Sequence, residues 1–180
     1  SAGVNLIHIS NMNYQKNTEA ILAALHLLRN EVSFNMQLYG TVNPELEELI
    51  ARFELQDKVF IRGEVPQHEL AKAIRQSDAL ILYSRYETFG CVLIEANACG
   101  VPVIVSDIEV FHELIKEGEN GMFAKENDPE ALAEKIRTFI KQKDKFKSTA
   151  IAETAALKYN FNKVGLQFTG LYEDLLAGLK

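Results

Sequence analysis

The sequence predicts a doubly wound α/β domain: a parallel sheet covered by helices on both faces. Short apolar runs rich in β-branched residues recur along the chain, segments with helical apolar spacing stand between them, and the connections are short. The runs 4–9, 35–39, 59–61, 79–83 and 101–105 read as strands, and 18–29, 45–53, 68–77, 89–99 and 110–116 as helices. Strand-helix alternation with short links favours right-handed crossovers. Strands that read as continuous apolar runs are those buried on both faces. A short strand at 122–124 extends the sheet. Asp128-Pro129 supplies an N-cap and a first-turn proline for a helix running to about Lys141.

The region 4–144 is thus expected to form one domain, with Ser1-Ala2-Gly3 a linker end or expression scar and 145–180 a run of further helices. That tail breaks near Tyr159-Asn160, and Phe161, Val164, Phe168, Leu171, Tyr172 and Leu175 form one apolar stripe. It holds more helix than the sheet needs, so it is expected to cap the sheet edge or to dock on a partner domain.

A chain of 180 residues with 47% hydrophobic and 24% charged residues is large enough to bury a core without metal or disulfide staples. Its formal net charge of -6 opposes nucleic acid and anionic membrane surfaces. The one basic cluster, Lys141, Lys143, Lys145 and Lys147, is interrupted by Gln142, Asp144 and Phe146 and reads as a solvated face at a helix boundary. No apolar run reaches the roughly 18 residues a membrane helix needs. Cys91 and Cys99 stand eight residues apart in one predicted helix, a rise of about 12 Å that keeps their sulfurs from bonding. They are expected to be reduced, packed thiols of a cytoplasmic chain. His8, His26, His68 and His112 show no ligand spacing, and Ser84 and Ser106 lack the Gly-x-Ser-x-Gly elbow. Neither GxGxxG nor a P-loop occurs, which weakens dehydrogenase and NTPase readings.

The chemistry concentrates in 84–103, which reads strand, turn, helix, turn, strand. In an open parallel sheet the carboxyl ends of the strands face the ligand crevice, and a following helix offers unpaired N–H groups to an anion. Phe89, Gly90 and Cys91 are expected to supply those groups, and Gly90 to let the backbone approach a ligand. Glu87 projects from the turn. Glu95 lies about 80° round the helix from Glu87's register, positioned to face the same cleft. Two carboxylates accepting from hydroxyls suit a sugar and a ribose. Spacing alone says little among 25 acidic residues; the apolar neighbours of Glu95, from Val92-Leu93-Ile94 to Ala96 and Ala98, imply that its charge needs a polar partner.

The stretch Glu87-Thr88-Phe89-Gly90, then Glu95-Ala96, Ala98, Gly100 and Pro102-Val103, resembles the Glu-x7-Glu signature of retaining GT-B glycosyltransferases, in particular glycosyltransferase family four, glycosyl transferases group 1. The likeness covers nearly the whole chain, as that family's C-terminal donor-binding domain. It implies a Rossmann-like half of a GT-B fold. It implies too that Glu87 orients the donor sugar, that Thr88, Phe89, Gly90 and Cys91 meet sugar or phosphate, and that Glu95 binds the ribose. Lys16 matches the second of a basic pair at the diphosphate, while Asn11 stands where the family usually has Arg. Asn11 donates only neutral hydrogen bonds. Lys16 also precedes a helix beginning at Asn17-Thr18, where a cation and helix N–H groups can share one phosphate. Arg62 to Pro66 resembles the loop that holds the nucleobase by backbone groups of Gly63 and Val65. A second departure is Glu109-Val110, where the family usually has a glycine pair ahead of a Glu matching Glu113.

The resemblance implies a hexosyltransferase whose substrate is a nucleoside diphosphate sugar, UDP in preference to GDP, with no cofactor and no metal. Its acceptor domain would be N-terminal and absent from this chain, so the chain alone is expected to bind nucleotide weakly and transfer nothing. Acceptor contacts belong to that half, which leaves peripheral membrane association of the parent enzyme open. The alternative is a non-catalytic nucleotide-sugar-binding or regulatory module. A phosphatase or epimerase is the weaker enzyme alternative.

Overall fold

In the computed structural model, which describes residues 3–159, every strand pairing is parallel and the sheet order is β3-β2-β1-β4-β5-β6. The strands are β1 (Val4–Ile9), β2 (Phe34–Tyr39), β3 (Val59–Gly63), β4 (Ala79–Leu82), β5 (Val103–Ser106) and β6 (Gly121–Ala124). Helices follow as α1 (Thr18–Leu28), α2 (Glu45–Arg52), α3 (Gln67–Arg75), α4 (Cys91–Ala98), α5 (Glu109–His112), α6 (Pro129–Gln142) and α7 (Ser148–Tyr159). The doubly wound sheet expected from the sequence is present.

Alternate residues of a strand serve opposite faces, and the two cores divide accordingly. Leu6, Met36, Leu38, Ile81 and Ile104 pack with α1 and α6 through Ile21, Leu25, Leu28, Ile136 and Phe139. Ile7, Leu80, Leu82, Val103 and Val105 pack on the other face with Leu93, Ala96, Phe111 and Ile115. All four residues of β4 and of β5 are buried, which is why those segments read as unbroken apolar runs. Helix α7 packs against α4. The Asp128 side chain accepts from Ala131 N at 3.0 Å, with Pro129 opening α6, as its sequence signature predicts.

Three local expectations differ. Helix α4 starts at Cys91, because Gly90 sits in the left-handed region at φ 83 and stops helical geometry there. Helix α5 ends at His112 instead of near Lys116. Asn120 diverts the following backbone, donating to Leu114 O at 3.0 Å and accepting from Lys116 N at 2.7 Å. Cys91 is exposed and not packed; both cysteines are free thiols. The 3₁₀ turn Lys143–Lys145 separates α6 from α7, so the basic cluster does straddle a helix boundary. The tail stripe from Phe161 to Leu175 lies outside the described residues. No helix among the described residues is long and apolar enough to cross a membrane.

Candidate functional site

The neighbours β1 and β4 send their connections in opposite directions, β1 toward β2 and β4 toward β5. Such a switch point leaves a crevice at the carboxyl ends of the strands. Two loops flank it: 10–17 after β1 and 83–90 after β4.

The loops are tied together by several contacts. Arg85 N donates to Gln15 O at 2.9 Å. Gln15 Nε2 donates to Tyr86 O at 3.1 Å, and the Arg85 guanidinium donates to Tyr14 O at 2.6 Å. The same guanidinium lies 4.1 Å from the centroid of the Tyr14 ring, a cation–π contact. At the centre of these ties the Lys16 ammonium pairs with Glu87 Oε2. Their side chains are 18% and 7% exposed. The second carboxylate oxygen accepts from Gln15 Nε2 at 3.4 Å and from Thr88 N at 3.1 Å.

The Lys16 backbone is set by its own turn. Asn13 caps the 3₁₀ turn Tyr14–Lys16, taking Lys16 N on its side chain at 3.2 Å and on its carbonyl at 3.0 Å. Asn11 is exposed, and its side chain accepts from Asn13 N at 3.4 Å, so the residue at the family's Arg position shapes the loop. Beneath the loop lies His8, fully buried. Its Nδ1 stands 2.8 Å from Ile81 O, and since a carbonyl only accepts, Nδ1 carries the proton and Nε2 accepts from Ser10 Oγ at 2.8 Å. Ser10 Oγ in turn accepts from Met12 N at 2.9 Å. Burial is the main cause that holds the His8 pKa down to about 4. The imidazole is neutral and joins β1 to β4 and to the loop bearing Lys16.

Beyond Glu87 lies a cavity of about 440 Å³ lined by Arg85, Tyr86, Glu87, Ile108, Glu109, Val110 and Glu113. Three carboxylates face it, an arrangement that suits hydroxyl donors better than phosphate. The N–H groups of Phe89 and Gly90 bond to no other described residue, and Cys91 opens α4, where the N–H has no intrahelical partner. Gly90 has a packing reason of its own to be glycine: besides its positive φ, a Cβ there would lie 3.0 Å from the Phe111 ring. Gly63 differs: φ is +72 and nothing stands within 4 Å of where its Cβ would be, so this backbone is open to close approach.

Glu95 is exposed, which overturns the expectation that its apolar neighbours bury the charge. Of those neighbours only Leu93 and Ala96 are buried; Val92 and Ile94 are half-buried and Ala98 is exposed. Its contact is Gln67 Nε2 at 3.5 Å, at the start of α3, next to the Gly63–Val65 segment. Lys16 and Glu87 therefore meet at one end of the crevice, while Glu95 shares the other with Gly63 and Val65. The buried polar residue of α4 is Asn97, 4% exposed, which donates to Val101 O at 3.0 Å and Asn120 O at 3.1 Å and accepts from Asn120 Nδ2 at 2.8 Å. Sequence reading also missed Gln15 and His8. The Gln15-Lys16 adjacency carried a signal for the former; nothing in sequence placed His8 beneath the site. A larger cavity, about 490 Å³, lies between α7 and the segment after α5.

A six-stranded parallel sheet of this order, with polar groups gathered at the switch point, is a Rossmann-like doubly wound domain. The sequence model of the family described as "Glycosyl transferases group 1" matches residues 4–157, and the chain belongs to that family. It is 28% identical to an N-acetyl-alpha-D-glucosaminyl L-malate synthase of Bacillus anthracis over 176 residues, 95% of this chain and 45% of the relative. It is 28% identical to a D-inositol 3-phosphate glycosyltransferase of Streptosporangium roseum over 144 residues, 78% of this chain and 33% of the relative. Among solved structures, a glycosyltransferase from Rickettsia africae superposes with a TM-score of 0.86 at 26% identity, over 98% of this chain and 48% of that one. Anabaena HepE in complex with UDP-glucose shares the fold, with a TM-score of 0.83 at 22% identity over 96% of this chain and 49% of that one. The chain spans less than half the length of each of these proteins.

Proposed function

We propose that this chain is the C-terminal, donor-binding half of a retaining hexosyltransferase, taking a nucleoside diphosphate sugar, UDP ahead of GDP, in the cytoplasm. An N-terminal domain outside the chain would supply the acceptor. The observation that carries the reading is the pairing of Lys16 with Glu87 across the β1/β4 switch point, one cation and one carboxylate where a diphosphate and a sugar would adjoin. Lys16 and the free N–H groups at Phe89 to Cys91 would take up negative charge as the diphosphate leaves. Glu87 would orient the sugar through its hydroxyls, so that the anomeric carbon faces the acceptor. Gly63 and Val65 would hold the base by backbone groups, with Glu95 on the ribose. The chain spans less than half of its relatives, in keeping with a two-domain cleft of which it forms one wall.

Calorimetry of the chain with UDP, GDP and ADP tests this. One diphosphate should bind, and Glu95→Ala should weaken it about tenfold, the loss of a charge-assisted hydrogen-bond pair. In the parent enzyme Glu87→Ala should depress turnover of the intact donor, and product analysis should show retention. Unchanged binding and turnover in both variants would sink the proposal. A second reading, a non-catalytic module of the same fold, draws on Asn11 and on Glu109-Val110, where family cation and glycines are replaced. It predicts a folded chain that binds none of the three nucleotides.

A further inference from the structure

We infer that Glu87 makes this site discriminate between an intact sugar donor and the bare diphosphate left after transfer, by taking Lys16 as its own counter-ion whenever no sugar is present. The inference rests on the donor reading above and adds a property to it: an empty site that is internally neutralised.

The geometry leaves both groups little freedom. Lys16 leaves the backbone at a turn capped by Asn13. The Glu87 oxygen that does not meet Lys16 is held by Gln15 Nε2 and Thr88 N, at 3.4 and 3.1 Å. The carboxylate is thus aimed at the ammonium, and both side chains are largely shielded from water. A diphosphate arriving alone must draw Lys16 away from Glu87 or share it. Either way a shielded carboxylate loses its counter-charge next to a new anion, and both effects oppose binding. Glu109 and Glu113, which line the same cavity, add repulsion of the same sign. A donor carrying its sugar behaves differently. Its hydroxyls donate to Glu87 while its phosphates take Lys16, so both members of the broken pair gain new partners. Once the sugar has left, Glu87 recaptures Lys16 and the diphosphate is held less tightly. The ion pair would therefore favour product release.

The test is calorimetry on the 180-residue chain with UDP, GDP, phosphate-free uridine and UDP-glucose. Glu87→Gln keeps the side chain's shape and removes its charge. It should bind the preferred diphosphate about three- to tenfold more tightly than the unaltered chain, the scale for one shielded charge some ångströms away. Uridine affinity should not move, and UDP-glucose should lose its advantage over UDP. Glu87→Asp, which draws the carboxylate back by one methylene, should shift binding in the same direction by less. In a Lys16→Gln background the gain from Glu87→Gln should fall to less than half. Diphosphate affinity that is unchanged or weaker in Glu87→Gln and Glu87→Asp overturns the inference and leaves the donor reading standing. Absence of diphosphate binding by the folded unaltered chain and both variants removes the donor reading, and this inference with it.

Discussion

The two ends of the crevice are built differently. At the β1/β4 end, Lys16, Glu87, Gln15, Arg85 and Tyr14 bind two loops to each other, with buried His8 beneath them. At the β3/α4 end, Glu95 is exposed and touches one glutamine at 3.5 Å, and Gly63 has open space beside it. A parallel sheet brings strand ends together wherever strands are neighbours, and at β1 and β4 the two loops are also tied by an ion pair, several hydrogen bonds and a cation–π contact. The tied end suits a role that depends on held geometry, such as positioning a sugar and its leaving group. The open end suits a role in which backbone groups adapt to a flat base and a ribose.

The largest effect expected from this difference lies in His8. Its pKa is about 4 in the folded chain against 6.5 for the free side chain, first because it is buried, with the Ile81 carbonyl opposing and the Lys16 charge adding in the same direction. Between those two values the unfolded chain takes up a proton that the folded chain refuses, so stability falls as pH drops from 6.5 toward 4. The slope is about 1.4 kcal/mol per pH unit and the whole loss about 3 kcal/mol. Urea denaturation at pH 7, 6 and 5 measures it above the range where carboxylates titrate. His8→Gln should flatten the curve by that slope. An unaltered slope would mean that the tied end does not depend on a neutral imidazole.

Gly90 and Gly63 put the same contrast into backbone terms. Both have positive φ, so alanine at either position costs about 1–2 kcal/mol for left-handed geometry alone. At Gly90 the added Cβ also meets the Phe111 ring at 3.0 Å, whereas at Gly63 it meets nothing within 4 Å. Gly90→Ala should therefore cost about 1 kcal/mol more than Gly63→Ala in thermal or urea unfolding. Equal losses would show that Phe111 yields and that the start of α4 is looser than its packing implies.

Fold and site were legible to different depths. The element order was readable because β4 and β5 are buried on both faces and spell Ala-Leu-Ile-Leu and Val-Ile-Val-Ser, while Asp128-Pro129 marks a helix start chemically. Glu87 and Lys16 were found as members of a motif, yet their contact was not, because 71 residues separate them and only the sheet order brings them together. Glu95 shows the limit of local reasoning. Its neighbours are apolar, but only Leu93 and Ala96 of them are buried, and the polar residue that helix does bury is Asn97. Burial follows angle around the helix and not proximity in sequence. At Gly90 the local sequence also lacks the packing reason for glycine, because the ring that excludes a side chain there, Phe111, arrives from a later element.

The smallest effects give the comparison its finest test, because they use the same residue type at both ends. Gln15 bridges the two loops through one firm bond, to Tyr86 O at 3.1 Å, and one longer one to Glu87 at 3.4 Å; Gln67 makes its single contact to exposed Glu95 at 3.5 Å. Truncating a part-buried bonded amide costs about 1 kcal/mol, while removing an exposed, long contact falls within about 0.5 kcal/mol. Gln15→Ala should accordingly lower stability by about 1 kcal/mol and Gln67→Ala by less than half of that, both measured by urea unfolding at pH 7. Stability is the weaker readout, since Gln15 also orients the Glu87 carboxylate. If that orientation matters, Gln15→Ala narrows the difference in affinity between UDP-glucose and UDP, and Gln67→Ala leaves it untouched. A pair of variants indistinguishable in both measurements would show that the crevice is uniform from end to end, and that the ties across β1 and β4 do not set how the site binds.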